Sequence, residues 1–255
     1  MLPIVEIFSS IQGEGARIVP AVFVRSALCN FQCQGFNCKK QLNDGTIICG
    51  CDTIKAASTH FKDQWSHYTS HEDLINDIDA IMPRYSRDNI LKPDLIWTGG
   101  EPIIHWKNDV IQRTLSHYIS RDHKTTIESN GSLDVEFNRE YQRKIIFSLS
   151  IKLANSGESE HKRINLENIT RIVEYCPNSY LKFVVSEETW DQDWEEIRRI
   201  LKSIPIFVNV FLMPMGENRN QIHQNTKFVF QKCIDLGFMY SDRLHIRAFD
   251  NQEGV

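Results

Sequence analysis

Five of the seven cysteines stand between positions 29 and 51, in Cys29-Asn30-Phe31-Gln32-Cys33, at Cys38, and in Cys49-Gly50-Cys51-Asp52-Thr53; Cys176 and Cys233 lie elsewhere. Thiols crowded in this way suit three chemistries: a disulfide knot, a zinc site, or an iron–sulfur cluster with one iron left open to a ligand. Cys29 and Cys33, four apart, place two thiolates on a tight loop. A third from Cys38, Cys49 or Cys51 leaves one iron of a 4Fe–4S cluster open. A closed zinc site wants four ligands, and Cys29, Cys33, Cys49 and Cys51 can supply them. Both suit thiolates, and spacing alone does not choose between them.

The compartment narrows the choice. Met1-Leu2-Pro3-Ile4-Val5-Glu6 lacks a basic segment followed by an apolar run. No apolar stretch approaches the roughly 20 residues that span a bilayer. The expectation is a cytoplasmic protein without membrane contact, where clustered thiols bind metal or do redox work more often than they pair. Hydrophobic residues make up 41% of the 255 and charged residues 24%, enough for a real core in a soluble chain. A net charge of −4 argues against a sequence-independent nucleic-acid binder. His60, His67, His71 and His105 have no metal-ligand spacing with the cysteines and are expected to be surface or local hydrogen-bonding groups.

A second signal is Thr98-Gly99-Gly100-Glu101-Pro102. Glycines at a strand end let the backbone approach a ligand and offer amide donors to an anion, although a plain turn is the commoner meaning. No Gly-Lys-Ser/Thr follows, so a phosphate loop is disfavoured.

The elements that must position these groups alternate. Val19–Ser26 is apolar and β-branched, a buried strand that runs directly into the cysteines. Positions 54–69 form an irregular excursion. Ser70 and Asp73 make a capping box for a helix over Ser70–Met82, with Leu74, Ile75, Ile78, Ile81 and Met82 as its apolar stripe. Strands follow at Asp94–Trp97, Thr125–Glu128, Lys144–Ile151, Tyr180–Val185 and Ile206–Leu212, with a closing strand at Leu244–Phe249. Helices fall between them at 107–120 (Val110, Ile111, Leu115 and Tyr118 inward), at Leu166–Tyr175, at 190–203 (burying Trp194, Ile197, Ile200 and Leu201) and at 222–236. This order predicts an α/β fold with a mostly parallel sheet, open or closed into a barrel, whose ligand site lies at the strands' C-terminal ends. No repeat or linker divides the chain, so one domain over 1–255 is expected.

Together, the Cys-x3-Cys loop after the first strand and Gly99-Gly100-Glu101-Pro102 resemble the radical S-adenosylmethionine superfamily. Glu6-Ile7-Phe8-Ser9-Ser10-Ile11-Gln12-Gly13-Glu14-Gly15, Val22-Phe23-Val24-Arg25, Cys51-Asp52-Thr53 and Glu128-Ser129-Asn130-Gly131 narrow the resemblance to the 7-carboxy-7-deazaguanine synthases, from position 4 to the C-terminus. It implies a partial (β/α) barrel holding a 4Fe–4S cluster, S-adenosylmethionine and a pterin. The reaction implied is contraction of 6-carboxy-5,6,7,8-tetrahydropterin to 7-carboxy-7-deazaguanine with loss of ammonia, on the path to queuosine and related deazapurines. No catalytic side chain is assigned beyond the cluster and the bound cofactor. Ile11, Gln12, Gly13, Arg25 and Thr98 would contact substrate, Arg25 by a two-pronged pair with its carboxylate; Val255 would join them where the tail folds over it.

By the same resemblance Gly100, Ser150-Ile151-Lys152 and Met213-Pro214-Met215-Gly216 would contact S-adenosylmethionine. Ile151 stands where the family has proline. Thr53 would bind a magnesium ion, a hard cation that keeps waters and takes oxygen ligands. The family's compact cluster motif is Cys-x3-Cys-x2-Cys-Asp-Thr/Ser, with an aromatic residue before the third cysteine. Here seventeen residues separate Cys33 from Cys51 and Gly50 takes the aromatic's place, giving an extended cluster loop at about 29–53. Cys29, Cys33 and Cys51 are the expected ligands, Cys51 because Asp52-Thr53 follows it; Cys38 is the rival. An electron donor such as flavodoxin or ferredoxin and a homodimer are also implied. Two other readings stay open: another radical enzyme such as a glycyl-radical activase, and a non-catalytic zinc-stapled interaction protein.

Overall fold

The computed structural model describes residues 1–83, 92–250 and 252. The chain begins with a long strand that no strand was assigned to from the sequence, β1 (Leu2–Gln12), antiparallel to β2 (Val19–Ser26). Their register sets Phe8 opposite Phe23 and Glu6 opposite Arg25. The two phenyl rings stack with centroids 5.0 Å apart, and Arg25 Nε donates to Glu6 Oε1 at 2.7 Å. Strand alternation turns Val22 and Val24 into the core while Phe23 and Arg25 face a cavity on the other side.

After β2 the cysteine loop carries a two-stranded hairpin, β3 (Cys38–Gln41) and β4 (Ile47–Gly50). The expected excursion at 54–69 contains a turn of helix, α1 (Ile54–Ala57), a 3-10 segment at Thr59–Gln64, and β5 (Ser66–Tyr68), which pairs with β1. α2 (His71–Ile81) starts where predicted, the Ser70 hydroxyl accepting from the amides of Glu72 and Asp73. Leu74, Ile75 and Ile78 are buried, whereas Ile81 at the end of the expected stripe is 37% exposed.

From β6 (Asp94–Gly99) onward, each strand is followed by a helix or turn that returns the chain to the next strand: α3 (Asp109–Ser120), β7 (Thr125–Ser129), β8 (Ile146–Ser150), α4 (Glu160–Arg163), α5 (Leu166–Tyr175), β9 (Tyr180–Val185), α6 (Trp190–Ser203), β10 (Asn209–Pro214), α7 (Arg219–Leu236), β11 (Met239–Tyr240) and α8 (Leu244–Phe249). The nine-stranded sheet runs β11-β10-β9-β8-β7-β6-β2-β1-β5, with every pair from β2 to β11 parallel. Strand order that follows chain order curls such a sheet in one direction, an open barrel rather than a doubly wound sheet.

Two expectations are corrected. Leu244–Phe249 is helical, not a closing strand: the segment packs at the strand ends, where Ile246 is buried and His245 and Ile246 line the cavity described below. The last long strand begins at Asn209 rather than Ile206, and Phe207 is 93% exposed. No described helix is long and apolar enough to cross a membrane.

Candidate active site

The strand ends enclose a cavity of about 1310 Å³, lined by Cys29, Cys33 and Cys51, by Thr98, Gly99 and Gly100, and by Ile11, Gln12, Gly13 and Arg25. The motifs singled out separately in the sequence therefore share one space. Burial pushes the Cys29 and Cys33 thiols up to about 12, and it raises Cys51 as well. Cys29 lies close enough to Cys51 and Cys33, and Cys33 to Cys51, for each to disfavour the other's ionisation. All three line the one cavity and are thiols, the donor type that iron–sulfur clusters take.

The rival thiols have other partners. Cys38 donates to Phe36 O at 3.8 Å and stands beside Glu217 on the cavity wall. Cys49 faces Gln34 O at 3.8 Å and Asn37 Oδ1 at 3.6 Å and does not line the cavity. Cys51 Sγ is 3.2 Å from Thr53 Oγ1, and Thr53 lines the cavity at the start of α1.

The loop is fastened by the two strand-end motifs. The Gly100 amide donates to Ser26 O at 3.1 Å and the Glu101 amide to Leu28 O at 2.7 Å. A Cβ on Gly100 would collide with the Leu28 carbonyl, and Gly99, at φ +136°, packs as closely on Ser26. Glu101 is fully buried. Its Oε1 accepts from Ile103 N at 3.0 Å and Ser129 Oγ at 2.8 Å, and its Oε2 from Asn130 N at 2.7 Å. Burial raises its pKa despite these donors. Asn130 Nδ2 then donates to Asn30 Oδ1 at 2.9 Å, and Asn30 Nδ2 to Ser132 Oγ at 2.8 Å. Gly-Gly-Glu-Pro and Glu-Ser-Asn-Gly thus form one hydrogen-bonded brace beneath the first cysteine pair.

A charged network lines the same cavity. Glu14, 16% exposed, accepts from Lys182 Nζ at 2.9 Å and Arg243 Nε at 3.1 Å. Burial would raise the Glu14 pKa, but Lys182, Arg243 and His245 outweigh it and hold the carboxyl well below the usual range. Arg243 also pairs with Asp52 and donates to Gly216 O at 2.7 Å. One guanidinium thereby joins the Gln-Gly-Glu-Gly segment, the Cys-Asp-Thr segment and the turn after β10. Thr98 Oγ1 donates to Glu128 Oε2 at 2.8 Å on the same wall.

Of the expected cofactor contacts, Ser150, Lys152, Met213, Met215 and Gly216 line the cavity. Lys152 Nζ donates to Ser150 Oγ at 3.0 Å. The Ile151 side chain is buried in the hydrophobic core instead, leaving its backbone toward the strand end, and Pro214 is likewise buried. Val255 lies outside the described residues. Sequence reasoning did not single out Lys182, Arg243 or Glu158. Lys182 offered a signal: a lysine inside the apolar strand Tyr180–Val185 has to find a buried carboxylate.

Comparison with known proteins bears on family and fold. The family model described as "4Fe-4S single cluster domain" matches residues 11–173. The 7-carboxy-7-deazaguanine synthase of Pyrobaculum aerophilum is 28% identical, covering 98% of this chain and 96% of the relative. That of Halobacterium salinarum is 27% identical, covering 98% and 91%, and that of Rhodopirellula baltica 26%, covering 100% and 89%. Among solved structures, Streptococcus suis SuiB bound to precursor peptide SuiA superposes with a TM-score of 0.54 at 13% identity, covering 87% of this chain and 48% of that one. SuiB alone gives 0.50 at 12% identity, covering 85% and 47%. This chain spans about half the length of those structures, and the likeness is one of fold. With more than half its residues matched by the family model, the chain belongs to the 4Fe-4S single cluster domain family.

Proposed function

We propose that the chain is a radical S-adenosylmethionine lyase, a 7-carboxy-7-deazaguanine synthase acting on 6-carboxy-5,6,7,8-tetrahydropterin in the path to queuosine and related deazapurines. The observation that carries the reading is that the cysteine loop, Thr98–Gly100, Ile11–Gly13 and Arg25 line a single cavity, in a chain similar over nearly its whole length to proteins of that name. When bound, the cluster, reduced by one electron, and S-adenosylmethionine would supply radical chemistry directed at the C6 hydrogen of the pterin.

The protein's part is position and exclusion. Cys29, Cys33 and Cys51 are the proposed cluster ligands. Gly100, Ser150-Ile151-Lys152 and Met213-Pro214-Met215-Gly216 are the proposed S-adenosylmethionine contacts, Ile151 and Pro214 through their backbone. Arg25 meets Glu6 through Nε, so its paired Nη groups are the edge left for a substrate carboxylate. Ile11, Gln12 and Gly13 hold the pterin against Thr98, and Val255, outside the described residues, is a further proposed substrate contact. Thr53, whose hydroxyl lies beside Cys51, carries a magnesium ion. The whole chain acts as one domain, as a cytoplasmic homodimer reduced by flavodoxin or ferredoxin.

The test is anaerobic. Reconstituted protein with the pterin, S-adenosylmethionine and reductant should yield 7-carboxy-7-deazaguanine by mass. A colourless protein with stoichiometric zinc would instead establish the stapled, non-catalytic reading.

A further inference from the structure

Glu158 lies between β8 and α4, and its carboxylate reaches across to the cysteine loop. Oε1 accepts from the backbone N–H of Gln32 at 2.6 Å and of Cys33 at 3.0 Å. Oε2 accepts from Lys162 Nζ at 3.0 Å, and the side chain is only 10% exposed. Arg163 Nε donates to the Glu158 carbonyl at 3.0 Å, and Arg163 is itself paired with buried Glu196. The backbones meet as closely: a Cβ on Gly35 would collide with Asn155 O, and one on Gly157, at φ +77°, would stand 3.0 Å from Gly35 N. Lys162 Nζ lies 5.6 Å from the centroid of the Phe31 ring. The segment 155–163 thus grips the stretch that carries Cys33 at several independent points.

This grip has an electrostatic consequence. Backbone N–H groups beside a cluster thiolate stabilise the reduced form when they point at sulfur, and net charge and solvent exposure set the rest of the potential. Here the amides of Gln32 and Cys33 are directed to a carboxylate. That carboxylate adds a poorly solvated negative charge next to Cys33, where the protein screens it less than water would. Both effects disfavour an added electron. Lys162 offsets part of the charge from the solvent side.

We propose that Glu158 is a positioning residue that fixes Cys33 and lowers the reduction potential of a cluster held by Cys29, Cys33 and Cys51. The inference rests on that ligand set. The test is redox potentiometry on the reconstituted full chain, read by the paramagnetic signal of the reduced cluster, with iron content measured alongside. Glu158→Gln should move the midpoint to less negative values, so that at a poise where the unaltered protein is half reduced the variant is mostly reduced. Glu158→Asp, which keeps the charge, should hold the midpoint close to that of the unaltered protein, and Lys162→Gln should move it to more negative values. Unchanged midpoints in Glu158→Gln and Lys162→Gln, with iron retained, overturn the inference and leave the ligand set standing. If Glu158→Gln loses iron, Lys162→Gln decides: a more negative midpoint supports the inference and no shift overturns it. Iron that fails to bind the unaltered protein refutes the ligand set itself.

Discussion

Arg243 and its two carboxylates show what single residues decide here. Glu14 and Asp52 both hold pKa values below the ordinary carboxylate range: burial alone would raise them, and Lys182 and Arg243 for Glu14, Arg243 for Asp52, win. An unfolded chain therefore binds protons at these sites first. Their contribution to stability is complete above about pH 5 and is lost as pH falls through the range near 4 and below. Asp52→Asn should thus lower the thermal midpoint at neutral pH, and its difference from the unaltered protein should narrow on acidification; a constant difference would contradict the pairing. Among the thiols, Cys51→Ala should abolish iron loading while Cys38→Ala, whose sulfur faces Phe36 O and Glu217, should largely spare it. The reverse iron contents would exchange their roles. On the proposed assignment of a magnesium ion to Thr53, Thr53→Ala should leave iron in place and weaken any stimulation of turnover by magnesium, which a magnesium titration of product formation measures.

At the scale of elements, the glycine pair after β6 makes the sharpest demand. Gly100→Ala puts a methyl group into the Leu28 carbonyl, backbone against backbone, so the cysteine loop has to move. A cost of about 1–3 kcal/mol is expected from such overpacking, read as a lowered denaturation midpoint together with reduced iron. Much of this layer was legible beforehand. β2 and β6 to β9 fall close to their apolar runs, and α2 starts at the Ser70 cap, because local pattern and tertiary role agree there. Leu244-His245-Ile246-Arg247 alternates like a strand yet folds as α8, since four residues cannot distinguish the two periods. The β3–β4 hairpin lies inside what the sequence suggests as an extended cluster loop at about 29–53, and its own signal is Asp44-Gly45, where Gly45 sits at φ +86° and Leu42 N donates to Thr46 O at 2.8 Å. The ion pairs of Lys182 and Arg243 were not legible. Their partners lie 168 and 229 residues away, and no local pattern encodes such a distance.

For the molecule as a whole, the extended cluster loop is an addition to the open barrel rather than part of its frame. β3 and β4 pair only with each other, and Cys38 and Cys49 are engaged within or beside the hairpin. Replacing residues 39–48 by a short linker should therefore leave the fold and the iron content intact; iron loss in a folded variant would show that the hairpin helps to hold the cluster. The Glu14–Arg243 pair, in turn, bears on biogenesis. It joins groups 229 residues apart, so a nascent chain still short of residue 243 carries Glu14 facing Lys182 alone and Asp52 without its guanidinium partner. The wall of the cavity is finished only once residue 243 has been made, and iron delivered earlier would meet cysteines on a loop not yet tied down. Nascent chains halted before Arg243 should accordingly load iron less completely than released ones.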